Sequence, residues 1–245
     1  MSKPSVLILG GTSDIGQAIA HTFASRGFAV VLAARESARL EATAADLAIR
    51  HDTPVSVLEC DATDPEAAVR LFEELPALPD VAVCVVGTMP DQSASEADPA
   101  LATQVLRSNF EGPARLMEAF GSRFARRGSG TLIGVSSVAG LRGRASNYIY
   151  GSAKAGFTAY LSGLRNRMHP RGVHVMTVLP GFVATRMTAH LTLPSALTAQ
   201  PPQVAGAVYV GFTKKRNTVY TLPVWRLIML VIRAIPEPLF KRLSL

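Results

Sequence analysis

Cysteine is nearly absent. Cys60 and Cys84 are the only two in 245 residues, and neither has partners at metal-ligand spacing. A disulfide-built scaffold and a cysteine-based metal centre are therefore excluded, and the pair reads as two buried thiols of a reducing cytoplasm. Long hydrophobic runs are missing as well. The first apolar run, Ser5 to Leu9, is a few residues long and ends in glycines, which suits a strand and not a secretory segment. The last, from 224 to 245, is interrupted by Arg226 and Arg233 and is too short and broken for a bilayer core that needs about 20 apolar residues. No internal repeat, low-complexity tract or compositional break divides the chain, so no second domain is required. Basic residues exceed acidic ones, 25 against 18, for a net charge of +7. No basic patch is interleaved with aromatics, and a nucleic-acid partner is not expected.

What is there is apolar and periodic. With 48% apolar residues, the chain has enough to cover a sheet on both faces. Strands are expected near 5–9, 28–33, 54–59, 80–86, 130–136, 172–179 and 217–221, with helical patterns between them. This alternation implies an α/β fold, Rossmann-type and doubly wound, with a seven-stranded parallel sheet and helices on both faces. Ligands of such folds bind at the C-terminal edge of the strands, where the strand order reverses. Gly10, Arg35, Asp61, Gly87 and Ser137 each follow a strand and fall on that edge. The least regular stretches are 87–100 and 186–203, the second placed to close over a bound substrate.

Directly after the first strand comes GGTSDIG, which reads as strand, tight turn and helix. Gly10 and Gly11 permit backbone angles closed to other residues, Gly16 allows close helix packing, and Ser13 or Asp14 can cap the helix. A helix N-terminus presented in this way faces a pyrophosphate. About 140 residues later, SVAGLRGRASNYIYGSAK places Ser137, Tyr150 and Lys154 in one stretch. Tyr150 and Lys154 are four apart and share a helix face, separated by about 6 Å of rise. The ammonium is expected to lower the phenol pKa toward working pH, making a general acid or base, with Ser137 hydrogen-bonding a substrate oxygen.

With CDATD at 60–64, SNFEG at 108–112 and LPGFVATRM at 179–187, five motifs stand in the order of one family. The chain resembles a short-chain dehydrogenase/reductase over almost its whole length. The resemblance implies an NAD(P)(H)-dependent oxidoreductase that reduces a carbonyl to an alcohol by hydride transfer, and dimers or tetramers of the chain. It makes Asn109, Ser137, Tyr150 and Lys154 the catalytic set. It assigns the cofactor to Gly10, Thr12, Ser13, Asp14, Ile15 and Gly16 at the turn, to Asp61 and Ala62 at the adenine, and to Gly87. Asn109, Tyr150 and Lys154 extend this set, and Pro180, Gly181, Val183 and Thr185 clamp the nicotinamide. Asp14 departs from the family's glycine at that place, so its side chain must point away from the phosphates. CVVG at 84–87 departs from the family's NNAG, although Gly87 keeps the close backbone approach. Pro113 has no N–H to return to the Asn109 carbonyl, which in the family holds a water linking the lysine to solvent.

Cofactor choice is expected at the end of the second strand, where Ala34 stands in place of the aspartate of NAD-preferring relatives. Arg35 can pair with a 2′-phosphate, which favours NADPH/NADP; if Arg35 only stacks on adenine, NADH/NAD remains the alternative. Arg142 and Arg144, between the catalytic serine and tyrosine, are candidate contacts for an anionic substrate. The catalytic unit is expected over 1–222, with 223–245 as its apolar and basic tail. On a helix Arg226 and Arg233 share one side, so the tail either lies in a membrane interface or covers the pocket or a subunit interface. GGTSDIG, SSVAGLRGRASNYIYGSAKAG and the tail also resemble the decaprenylphosphoryl 2-keto-erythro-pentose reductase-like members of the family. That narrower likeness implies a lipid-linked or phosphorylated keto-sugar and a cytoplasmic protein peripheral to the inner face of the membrane. A general ketone or 3-oxoacyl reductase, and a non-catalytic cofactor-sensing protein, are the alternatives.

Overall fold

The computed structural model describes residues 3–243, so Met1, Ser2, Ser244 and Leu245, the outermost residues of the expected unit and tail, lie outside the described residues. Its strands are β1 (Ser5–Leu9), β2 (Ala29–Ala34), β3 (Val55–Glu59), β4 (Val81–Cys84), β5 (Gly130–Val135) and β6 (Val173–Leu179). A short pair follows, β7 (Phe182–Val183) and β8 (Thr198–Ala199), and then β9 (Thr218–Tyr220). The helices are α1 (Asp14–Ala24), α2 (Glu41–His51), α3 (Ala67–Glu74), α4 (Gln92–Ala97), α5 (Pro99–Leu106), α6 (Gly112–Arg127) and α7 (Tyr148–Met168). After them come α8 (Pro201–Thr213), α9 (Val224–Ala234) and α10 (Glu237–Phe240).

Seven strands form one parallel sheet in the order β3-β2-β1-β4-β5-β6-β9. The apolar, β-branched runs of the inner strands β1, β4 and β6 suit burial on both faces, whereas the edge strands β3 and β9 are only partly covered. Alternate side chains of β1 go to opposite faces, as the pleat requires. Val6 and Ile8 join a core with Ile19 and Phe23 of α1, Leu47 of α2 and Val208 of α8. Leu7 and Leu9 join another with Leu71 of α3, Phe120 and Phe124 of α6, and Leu161 of α7. The strand order reverses between β1 and its neighbour β4, which sets the crevice at the C-terminal ends of those two strands.

All seven expected strands are present. The stretch 87–100, expected to be irregular, is partly helical: α4 begins at Gln92, and α5 starts on Pro99 with Asp98 as its cap, accepting the Ala100 N–H at 2.8 Å. A capping aspartate followed by proline is a helix-start signal that the coarse pattern passed over. The β7–β8 pair was not expected either, since two-residue strands leave no periodicity to read. It closes residues 184–197 into a loop, with Ala184 N–H donating to the Ala199 carbonyl at 2.9 Å.

Phe120 is fully buried, its ring 4.6 Å from that of Phe72, whereas Ile49 is 84% exposed. Phe120→Ala is expected to cost about 3–5 kcal/mol and Ile49→Ala less than about 0.5 kcal/mol in denaturant unfolding.

Candidate active site

The glycine turn is built as a cradle. Ser13 caps α1, its hydroxyl accepting the Gly16 N–H at 3.0 Å and donating to the Gly10 carbonyl at 2.8 Å. Gly10 has φ +93°, and a Cβ there would stand 3.1 Å from the Val85 side chain; one on Gly16 would stand 2.6 Å from the Gly10 carbonyl. Asp14 begins the helix and is turned toward Arg186, whose main-chain N–H and Nε reach its carboxylate at 2.7 and 2.8 Å. The Arg186 guanidinium also reaches the Thr12 carbonyl.

From this turn one cleft of about 190 Å³ runs past Ala34, Arg35, Arg39, Asp61 and Ala62 to Gly87. Arg39 escaped the sequence reading because only the short turn Ser37–Leu40 brings it there. Glu36 adopts φ +56°, and its N–H and that of Ser37 donate to the Glu59 carboxylate at 3.0 and 2.8 Å, which fixes the turn after β2. Asp61 holds its own corner by accepting the Thr63 N–H and hydroxyl, both at 2.8 Å. Gly112 meets that corner, where a Cβ would come 2.2 Å from the Ala62 carbonyl.

A second cleft, of about 160 Å³, continues past Val85 and Gly87 and is lined by Ile15, Asn109, Ser137, Tyr150, Lys154 and the segment containing Pro180, Gly181, Val183 and Thr185. Residues Arg107–Glu111 form a π turn ahead of Pro113 rather than an ordinary α ladder. It carries the fully buried Asn109, whose side-chain amide donates to the carbonyls of Thr88 at 2.7 Å and Val105 at 2.9 Å. Asn109 Oδ1 has no partner among the described residues. Lys154 Nζ lies 3.3 Å from the Val135 carbonyl and 5.8 Å from the centre of the Tyr150 ring. Any side chain at Gly87 would collide with Asn109 Oδ1 at 2.5 Å and crowd Lys154 Nζ at 3.1 Å. Ser137 hydrogen-bonds the Tyr150 phenol, and its neighbour Ser136 pins α7 by donating to the Lys154 carbonyl at 2.9 Å.

Burial pushes the Tyr150 phenol up to about 12, against a smaller lowering by the Ser137 hydrogen bond. The expected depression by Lys154 is not found. The same burial lowers Lys154 to about 8, so desolvation outweighs the attraction of the ammonium for a phenolate.

The two candidate substrate arginines are separated. Arg142 is not among the residues lining either cleft: Glu237 binds its guanidinium at 2.6 Å and the Phe240 ring lies 4.1 Å from it, so it tethers α10. Arg144 lines the second cleft, and its buried Nε has no partner among the described residues. Desolvation lowers its pKa from the usual guanidinium value. Trp225 of the tail closes the same cleft with Met187 and Leu191, donating Nε1–H to the Leu197 carbonyl at 3.0 Å. Gly181 makes room for it, since a Cβ there would lie 2.0 Å from the indole.

The family profile for short chain dehydrogenases matches residues 4–195. The chain belongs to that family. An uncharacterised oxidoreductase of Streptomyces coelicolor is 38% identical over 242 residues, covering 98% of this chain and 95% of the relative. A second, from Mycobacterium tuberculosis, is 34% identical over 97% of this chain and 96% of its own length. The solved short-chain dehydrogenase of Sphingobium yanoikuyae in complex with NADPH is 26% identical, with a TM-score of 0.81 over 96% of this chain and 97% of that one. The protein is thus an NAD(P)-dependent oxidoreductase acting on CH–OH and C=O groups. Its clefts fit the dinucleotide: they meet at Val85 and Gly87, and the glycines keep side chains out of the path.

Lys154 titrates at about 8 in the fold against an ordinary 10.5, so protonating it costs folding free energy below about pH 8 and nothing above about pH 10.5. In cofactor-free protein, Lys154→Met is expected to raise stability by roughly 1–3 kcal/mol at pH 7. Thermal melts from pH 7 to 10.5 should show that gain shrinking as the pH rises.

Proposed function

We propose that this enzyme is an NADPH-dependent carbonyl reductase whose substrate carries an anionic group. The observation that carries the reading is Arg144, a half-buried guanidinium whose Nε has no partner among the described residues, in the cleft that also holds Ser137, Tyr150 and Lys154. Partial desolvation of a cation whose Nε–H is unpaired carries a cost, and a phosphate or carboxylate on the substrate offsets it. Asn147 Oδ1, buried in the same cleft with no partner among the described residues, supplies an acceptor for a substrate hydroxyl. For the cofactor, Ala34 leaves no carboxylate at the end of β2, and Arg35 and Arg39 line the cleft there, which favours a 2′-phosphate. The Sphingobium relative holds NADPH.

The cofactor, when bound, supplies the hydride that reduces the carbonyl carbon. Tyr150, kept protonated by burial, gives its proton to the carbonyl oxygen as that oxygen becomes a hydroxyl. Ser137 orients the oxygen, and the Lys154 ammonium stabilises the phenolate left behind.

Within this class a phosphorylated or lipid-linked keto-sugar suits the pocket best. Its phosphate would meet Arg144, and an apolar chain would leave past Met187, Leu191 and Trp225 toward α9. The inner residues Trp225 and Met229 of α9 pack on Val138 and Leu179, while Leu227, Leu230 and Val231 are exposed. No described helix is long and apolar enough to cross a membrane. An exposed apolar helix face flanked by Arg226, Arg233, Lys241 and Arg242 suits a peripheral seat on an anionic lipid surface at the inner face of the membrane.

Single-turnover NADPH oxidation with phosphorylated and neutral ketones tests the reading. Tyr150→Phe should lower turnover about 10²- to 10⁴-fold with NADPH still bound. Arg144→Gln should lower kcat/KM about 10- to 100-fold for the phosphorylated ketone and little for the neutral one. Equal losses for both ketones would remove the anion assignment. For the tail, Leu227→Glu with Leu230→Glu should abolish co-sedimentation with vesicles rich in anionic lipid; unchanged partitioning would refute the membrane contact.

A further inference from the structure

Asp14 introduces a negative charge where the dinucleotide must place its pyrophosphate. The N-terminus of an 11-residue helix attracts anions, and a carboxylate in its first turn consumes part of that potential and repels a second anion. Here the carboxylate is bound at both oxygens by a residue 172 positions away. Arg186 donates its main-chain N–H to Oδ2 and Nε–H to Oδ1, while Nη2 reaches the Thr12 carbonyl. Arg186 follows Thr185 at the head of the loop that β7 and β8 close, so the contact straps the substrate loop to the pyrophosphate turn. A cleft of about 270 Å³ beneath it is lined by Thr12, Ser13, Ile15, Thr185, Arg186 and Met187.

We infer that Arg186 is a cofactor-binding residue of this enzyme: it cancels the Asp14 carboxylate so that the turn can accept a pyrophosphate, and through the same contact it couples cofactor binding to the order of the substrate loop. The inference rests on reading the turn as the dinucleotide site. A strap that was only structural would be loosened equally by removing either partner. Charge cancellation makes the two partners unequal, because Asp14 harms anion binding only when Arg186 is gone.

The test is NADPH binding followed by fluorescence without substrate, together with limited proteolysis of residues 186–199 and thermal melts. Arg186→Gln is expected to raise the NADPH Kd about tenfold or more, and Arg186→Lys much less. The double variant Asp14→Asn with Arg186→Gln should recover most of the loss. NADPH should protect the loop from proteolysis in the wild type and not in Arg186→Gln. The inference is overturned if Arg186→Gln binds as tightly as wild type, or if the double variant binds no better than Arg186→Gln. A wild-type protein that bound neither NADPH nor NADH would instead overturn the functional reading itself.

Discussion

A single buried ammonium organises the site. Lys154 is carried on α7 into the C-terminal edge of the sheet, where it donates to the carbonyls of Val135 at 3.3 Å and Val86 at 3.5 Å. Burying a cation there requires acceptors within its reach and room for them to approach. That requirement explains Gly87, which has no room for a Cβ, and the π turn that delivers Asn109 to the same spot from another helix. It also explains why α7 is pinned by Ser136, the neighbour of Ser137: a shift of α7 would move Lys154 and Tyr150 together. The large cores on the two faces of the sheet supply the stability that a desolvated lysine subtracts.

The cofactor path depends on absent side chains as much as on present ones. At Gly10, Gly16 and Gly87 a Cβ would obstruct either the turn or the side chains of Asn109 and Lys154, and at Gly112 it would push the Ala62 corner away from the π turn. The motifs 60–64 and 108–112, far apart in sequence, are two sides of one contact. Arg107 and Arg115 reinforce it by donating to the Thr63 carbonyl at 3.0 and 3.3 Å.

The excess of positive charge is sorted by the fold. Several arginines are paired at the surface, as Arg50 is with Asp46 and Arg167 with Glu118, and such exposed pairs add little stability, whereas the better covered Arg142 pairs with Glu237 to hold α10. Arg144 is the contrary case, half-enclosed in the cleft with an Nε that has no partner among the described residues. The tail, apolar enough to suggest a separate role, contributes Trp225 to the wall of the same cleft while turning its other side outward. One short helix thus takes part in both shaping the pocket and presenting an apolar surface.

The strands, the glycine turn and the Tyr150–Lys154 pair were legible because each is written in neighbouring residues: β-branched runs, glycines before a helix, a four-residue spacing. Local sterics and helix periodicity decide such features, so the sequence by itself determined the fold class and the residues at the sheet edge. The different fates of Arg142 and Arg144, two residues apart, were not legible, since they follow from whether Glu237 and Phe240 fold back over one of them. Nor was the partner of Asp14, which is 172 residues away, or the upward shift of the Tyr150 phenol, which the spacing to Lys154 had suggested would go down. Those outcomes belong to the tertiary structure alone, because desolvation and long-range pairing are set by what the rest of the chain packs around a residue and leave no mark on its neighbours in sequence.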